Sequence, residues 1–237
     1  MVTMYVNGDS HTAKVYGDLG TTATEILSKK YQCKYINHAV PGSSNQRIIR
    51  TTLEQLPTLD PKSTVIIIGW SSFERTEWYY NNQWHQICGD TYYHVDPELG
   101  TLWKQHLESW WADDNHECWR RQAEQHHNIW VFHNLLKQLG YSILFYQGCK
   151  TTFFDGCPQQ DQNFKLPWQD NTWVHNPYCQ VTQDNRRHVE SFSHYVESHG
   201  FQHADTHAHF GQDAHYCWAD YLDPHVKKQL DLIQQQR

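Results

Sequence analysis

Apolar positions along the chain fall into short clusters with two distinct periods. Thr64-Val65-Ile66-Ile67-Ile68-Gly69 is a continuous β-branched run bounded by Pro61 and Gly69, the pattern of a strand buried on both faces in a parallel sheet. Met4-Tyr5-Val6 leads into Asn7-Gly8-Asp9-Ser10, a buried strand that breaks at a glycine turn and delivers Ser10 at its carboxyl end. Lys34-Tyr35-Ile36 with Ala39-Val40, and Tyr141–Tyr146, predict two more strands; Phe201–Ala204 is a weaker fifth. Helical spacing covers Thr24–Tyr31, a stretch carrying Ile48, Ile49, Leu53 and Leu56 behind a Ser43 or Ser44 cap, Asn128–Leu139 up to Gly140, Arg187–Ser198, and Asp213–Ile233. Strands that alternate with helices in this way predict a doubly wound α/β sandwich, whose ligands bind outside the carboxyl ends of the strands.

Two regions interrupt the alternation. Residues 78–117 and 149–183 are rich in Trp, Tyr, Asn, Gln and Asp, and they read as long inserted loops or lids over one sheet edge. Their clusters, Trp78-Tyr79-Tyr80, Trp110-Trp111 and Trp168 with Trp173, suit either stacking on sugar rings or packing of the loops themselves. A length of 237 residues fits one domain, 1–237, carrying these insertions.

Charge narrows the function. With 19 Lys+Arg against 26 Asp+Glu and a net charge of -7, no basic field exists to attract a phosphate backbone, so nucleic acid is not an expected partner. No stretch has the apolar length of a membrane span, and Met1–Ser10 lacks the pattern of a signal peptide. A cytoplasmic protein with no membrane partner is expected. Seven cysteines, an odd number with no C-x-x-C pair, favour a reducing compartment.

Candidate chemistry gathers at predicted strand ends. Gly8-Asp9-Ser10 follows the first strand, Asn37-His38-Ala39-Val40-Pro41-Gly42 the second, Gly69 ends the third, and Asp205 with His209 precedes the last helix. This ordered set resembles the SGNH, or GDSL-type, hydrolases, esterases and acetylhydrolases on a flavodoxin-like three-layer sandwich with a central, mainly parallel five-stranded sheet. The resemblance implies Ser10 as nucleophile, with its own N–H and that of Gly42 in the oxyanion hole, and no cofactor. It also implies an Asn as third donor after the third strand, where this chain has Gly69-Trp70-Ser71-Ser72 and so Ser71 instead. In the final motif, matching His209-Phe210 and Ala214-His215 to the family pattern makes His209 the base with Asp205 as its partner. Asp205 is then one residue further away than usual, and His207 is the second choice for the base.

Asn45, Trp70 and Arg75 are possible substrate contacts, and Asn7 or Asn45 is a possible replacement for the missing donor. Arg75 and Glu77 read equally well as ion-pair residues that fix the insertion. Trp70-Ser71-Ser72-Phe73-Glu74-Arg75 is also similar to GDSL-like proteins of tailed phages of marine cyanobacteria, which would place the protein in a host cytoplasm or a virion. The functional expectation is a serine esterase acting on a small-molecule or glycan ester, with an acetyl group as one candidate. The alternative is a catalytically weak glycan- or protein-binding or virion-structural module on the same fold. His203, Asp205, His207, His209 and His215 also admit a metal reading, although no metal is expected.

Overall fold

The structure, a computed structural model, describes residues 1–14, 20–87, 97–112, 116–149, 171–177, 180–181, 187–188, 190–205 and 209–235. Its centre is an all-parallel sheet of four strands in the order β2-β1-β3-β6, where β1 is Thr3–Gly8, β2 Lys34–Asn37, β3 Thr64–Trp70 and β6 Ser142–Gln147. β3 is buried along its whole length, as is β6. Both faces are covered, which is why their sequences show continuous rather than alternating apolar residues.

Helices α1 (Ala23–Lys30) and α6 (Gln212–Gln235) cover one face, where Met4, Val6, Val65, Ile67 and Leu144 meet Leu27, Trp218, Leu222 and Val226. Helices α2 (Asn45–Gln55) and α4 (His116–Gln138) cover the other, packing Ile48, Ile129, Phe132 and Leu136 against Tyr5, Ile66, Ile68 and Phe145. The Ser44 side chain caps α2 by accepting the Arg47 N–H. A short helix, α5 (Phe192–Ser198), adds Phe192 and Val196 to the first core.

Residues 201–204 do not form the expected fifth strand. They contribute a single antiparallel bridge, His203 to Phe210, while Trp173 makes an isolated parallel bridge to Phe145 beside β6. The described residues of the 78–117 insertion are mostly regular structure rather than loop. They include the antiparallel hairpin β4 (Thr76–Tyr80) and β5 (Gln83–Ile87), helix α3 (Pro97–Ala112) and the start of α4. Asn81 and Asn82 turn the hairpin at φ 48° and 60°, the left-handed pair that Asn tolerates in a two-residue turn. Arg50 of α2 holds β4 through a two-pronged pair with buried Glu77, at 2.8 and 2.9 Å. Much of the second insertion, Trp168 included, lies outside the described residues; β7 (Gln180–Val181) and β8 (Arg187–His188) pair with each other.

Candidate active site

β1 sets the geometry at its last residue. Gly8 passes so close to β3 that an added Cβ would lie 2.8 Å from the Gly69 carbonyl oxygen and 2.5 Å from Thr12 Oγ1. Only glycine fits there. The chain then turns sharply, and the Thr12 and Ala13 N–H groups both donate to the Asp9 carbonyl at 3.0 and 2.8 Å. The Thr12 hydroxyl meets Tyr146 OH at 2.8 Å, and Asn37 donates to the Thr12 carbonyl at 3.0 Å. Strands β2 and β6 therefore clamp the turn that carries Ser10. Neither the Ser10 N–H nor its Oγ makes a hydrogen bond among the described residues.

His209, the base expected from the sequence, is held by Asp205. Asp205 accepts twice from it, from the backbone N–H at 3.0 Å through Oδ1 and from ring Nδ1 at 2.6 Å through Oδ2. A neutral ring that donates from Nδ1 carries its lone pair on Nε2. The extra residue between Asp205 and His209 is accommodated because the carboxylate grips backbone and ring together. Ser10 and His209 line the same small pocket, with His11, Thr21, Thr22 and His215 also on its wall. His207 lies outside the described residues.

Other imidazoles surround this pair. His11 stands edge-on to His209 at 6.5 Å between ring centroids and is packed against Phe192 and Phe210. Burial lowers the His11 pKa below the usual value, outweighing the upward pull of Asp9. His215 is buried against Phe192 and held down to about 4, first by burial and then by its neighbours His11 and His209. Both are neutral at pH 7, and neither adds a positive charge beside His209.

The oxyanion side departs from expectation. The turn containing Gly42 lies beside the end of β1, since Val40 donates to the Gly8 carbonyl at 3.2 Å, and Gly42 takes φ 77°. Ser71, however, is 1% exposed, and its hydroxyl accepts from Arg75 Nη1 at 2.9 Å. Trp70 is not a substrate contact: it is fully buried and edge-on to Phe132 and Phe145 in the core. Asn45 is not one either. Its amide accepts the Ser71 N–H at 2.8 Å and donates to the Ser71 carbonyl and to Gln125 Oε1, all buried. Asn7 cannot replace the missing donor, because its Nδ2 is committed to Ile48 O, Thr51 and Thr52 and its Oδ1 to the Gly8 N–H.

Asp9 is the electrostatic hub. Fully buried, it accepts from Arg75 Nη1 at 3.1 Å, from Cys149 Sγ at 2.9 Å and from the His11 N–H at 3.0 Å. Burial, followed by the Asp9 charge, pushes the Cys149 thiol up, so it stays protonated and donates. Asp9, His11 and Cys149 bring a carboxylate, an imidazole and a thiol to within 4.8 Å of one another, a donor set suited to a transition ion. Asp9 Oδ2 already takes the Arg75 and Cys149 hydrogen bonds, and Oδ1 takes the His11 N–H. The residues at 203–215 that admit a metal reading form no such group among the described residues: His203 faces Glu197 at 3.4 Å, Asp205 is engaged by His209, and His215 stacks on Phe192. Cys149 lies 140 positions from Asp9, and no sequence signal links them.

The crystal structure of TesA superposes with a TM-score of 0.54 at 15% identity, covering 96% of this chain and 99% of that one. The chain has the fold of the SGNH hydrolases. A member of the lipolytic protein G-D-S-L family from Veillonella parvula DSM 2008 aligns over 94% of this chain and 96% of its own at 12% identity, with a TM-score of 0.46. No protein-family model matches the chain, and no curated protein matches it in sequence. In the SGNH frame, the four parallel strands direct Ser10, the Gly42 turn and Ser71 to one edge of the sheet, at the carboxyl ends of β1, β2 and β3. Among the described residues no helix is long and apolar enough to cross a membrane.

Proposed function

We propose that the protein is a serine hydrolase of the SGNH type that cleaves a carboxylic ester through Ser10, His209 and Asp205. The observation that carries this reading is the shared pocket of Ser10 and His209, with Asp205 holding Nδ1 of the base at 2.6 Å. His209 Nε2 takes the Ser10 hydroxyl proton as Oγ attacks the ester carbonyl, and the same imidazolium then protonates the leaving alkoxide. Water, deprotonated by His209, attacks the acyl-enzyme and releases the acid and free Ser10. Asp205 keeps the ring in the productive tautomer and stabilises the imidazolium.

The Ser10 pocket is small, with Thr21, Thr22 and three imidazoles among its walls. That lining favours a short acyl group such as acetyl, on a polar or glycan alcohol, over a long acyl chain. A second reading, a binding module with weak catalysis, draws on the hairpin: Tyr79 and Trp84 are 60% and 48% exposed, side by side at 5.1 Å, with Arg50 over the Trp84 ring. Such a platform suits stacking on a sugar. Hydrolysis of p-nitrophenyl acetate by the wild type and by Ser10→Ala separates the two. Turnover that falls to background in Ser10→Ala is expected, and undiminished turnover would remove Ser10 from the chemistry.

A further inference from the structure

The pocket shared by Ser10 and His209 draws its walls from segments far apart in the chain. Gly20, Thr21 and Thr22 come from the approach to α1, and His209, Phe210 and His215 from the approach to α6 and its first turn. One side chain joins the two. Gln212, the first residue of α6, accepts the Thr21 N–H through Oε1 and donates from Nε2 to the Thr21 carbonyl at 2.9 Å, across 191 positions. Its carboxamide thus pairs with the Thr21 backbone at both polar ends. Gly20 lies against the same group: it takes φ 85°, and an added Cβ would collide with Gln212 Oε1, so only glycine fits. Thr22 is fixed in turn as the cap of α1, accepting the Glu25 N–H at 3.3 Å.

The space between these walls is a cavity of about 10 Å³, room for about one water-sized group. An acyl group bonds to Ser10 Oγ and stays beside it until water releases it, whereas the alcohol leaves. A methyl group suits such a space and a propyl group does not. We infer that Gln212 sets the acyl-chain selectivity of this site, holding the Gly20–Thr22 wall to the His209–Phe210 segment and so restricting the substrate to acetyl esters. The inference rests on the ester-hydrolase reading above. Gln212 is a positioning residue: it is not among the pocket's lining residues and acts through Gly20 and Thr21, which are. Two hydrogen bonds and one close contact keep the wall from receding for a longer chain. Removing the carboxamide releases both bonds and clears the space against Gly20, into which the wall can withdraw.

The test is kcat/KM for p-nitrophenyl acetate and p-nitrophenyl butyrate in wild type, Gln212→Ala and Gln212→Glu, each with a thermal melt. Wild type is expected to favour acetate by at least about tenfold, the lower end of the penalty for one methylene too many in a fitted pocket. Gln212→Ala should shrink that preference by about threefold or more. The ratio of the two esters does not depend on how much of the protein is folded. A glutamine that served the fold alone would lower both rates in parallel and leave the ratio where it was.

A wild type that hydrolyses butyrate as well as acetate would overturn the inference, as would a folded Gln212→Ala protein whose preference moves by less than about threefold. Should Gln212→Ala fail to fold, Gln212→Glu keeps an acceptor for the Thr21 N–H but sets a carboxylate oxygen against the Thr21 carbonyl. The preference is expected to shrink there by the same margin, and an unmoved ratio would equally overturn the inference. Ser10→Ala run in parallel separates the two levels. Turnover that persists in Ser10→Ala sinks the hydrolase reading and this inference together, whereas turnover that vanishes there while the Gln212 variants keep the wild-type ratio sinks the inference alone.

Discussion

The two sides of the Ser10 turn are built by different means. On the His209 side, a short segment before α6 carries both imidazole and carboxylate, and the Asp205 contacts span four residues. On the Ser71 side, the Ser71–Arg75 contact spans four residues as well, but the groups around it are held by partners distant in sequence: Asn45 is 26 residues from Ser71 and 80 from Gln125, and Arg75 is 66 from Asp9. A local arrangement keeps its geometry as long as one turn keeps its shape. The distributed one ties β1, β3, α2 and α4 together, so its polar groups serve the fold as well as the pocket.

Substitutions on the two sides should therefore differ in kind. The largest effect belongs to the base: His209→Ala should cut kcat about 10²–10⁴-fold, the range for loss of a positioned general base, while the melting temperature changes little. Steady-state kinetics with a melt control reads this, and a small kinetic change would remove His209 from the mechanism. Next comes Asn45→Ala, which leaves the buried Ser71 N–H and the Gln125 amide without their partner. It should destabilise by about 1–3 kcal/mol, measured by denaturant unfolding. A stable protein with lost activity would instead make Asn45 part of the site.

The smallest effect is a pH dependence of stability. Burial holds His126 and His215 down to about 4 and His175 to about 3, against about 6.5 in the unfolded chain. Between those values the unfolded chain binds more protons than the folded one. Stability is thus fully present above about pH 6.5 and is lost as pH falls, levelling off only below the folded values. Melting temperatures should be lower at about pH 5 than at about pH 8. Equal values would contradict the buried neutral state of these rings.

Much of the framework is legible in the sequence, and the reason is local. The Val65–Ile68 run reads as a buried strand because neither face needs polar residues, and Ser44 reads as a cap because its hydroxyl serves an N–H three residues on. Gly8 marks the turn at Ser10 through a steric demand that only glycine meets. The hairpin at 76–87 also has a signal, Asn81-Asn82 between two aromatic clusters, but its Trp and Tyr content makes it read as a loop. Helix α4 begins well before Asn128 because its first half is polar and aromatic, which hides the helical period. The Arg50–Glu77, Asn45–Gln125 and Cys149–Asp9 pairs join distant segments, and no local pattern announces them. Proximity in sequence to β2 and β3 suggests Asn45 and Trp70 for the pocket, whereas burial directs both side chains inward.

Whether Ser10 is the reactive nucleophile decides everything else at this site. Incubation with a fluorophosphonate probe, followed by proteolysis and mass mapping, tests it directly. One adduct is expected, on the peptide that contains Ser10, absent from Ser10→Ala and formed much more slowly in His209→Ala. An adduct on another residue, or labelling that persists in Ser10→Ala, would contradict it.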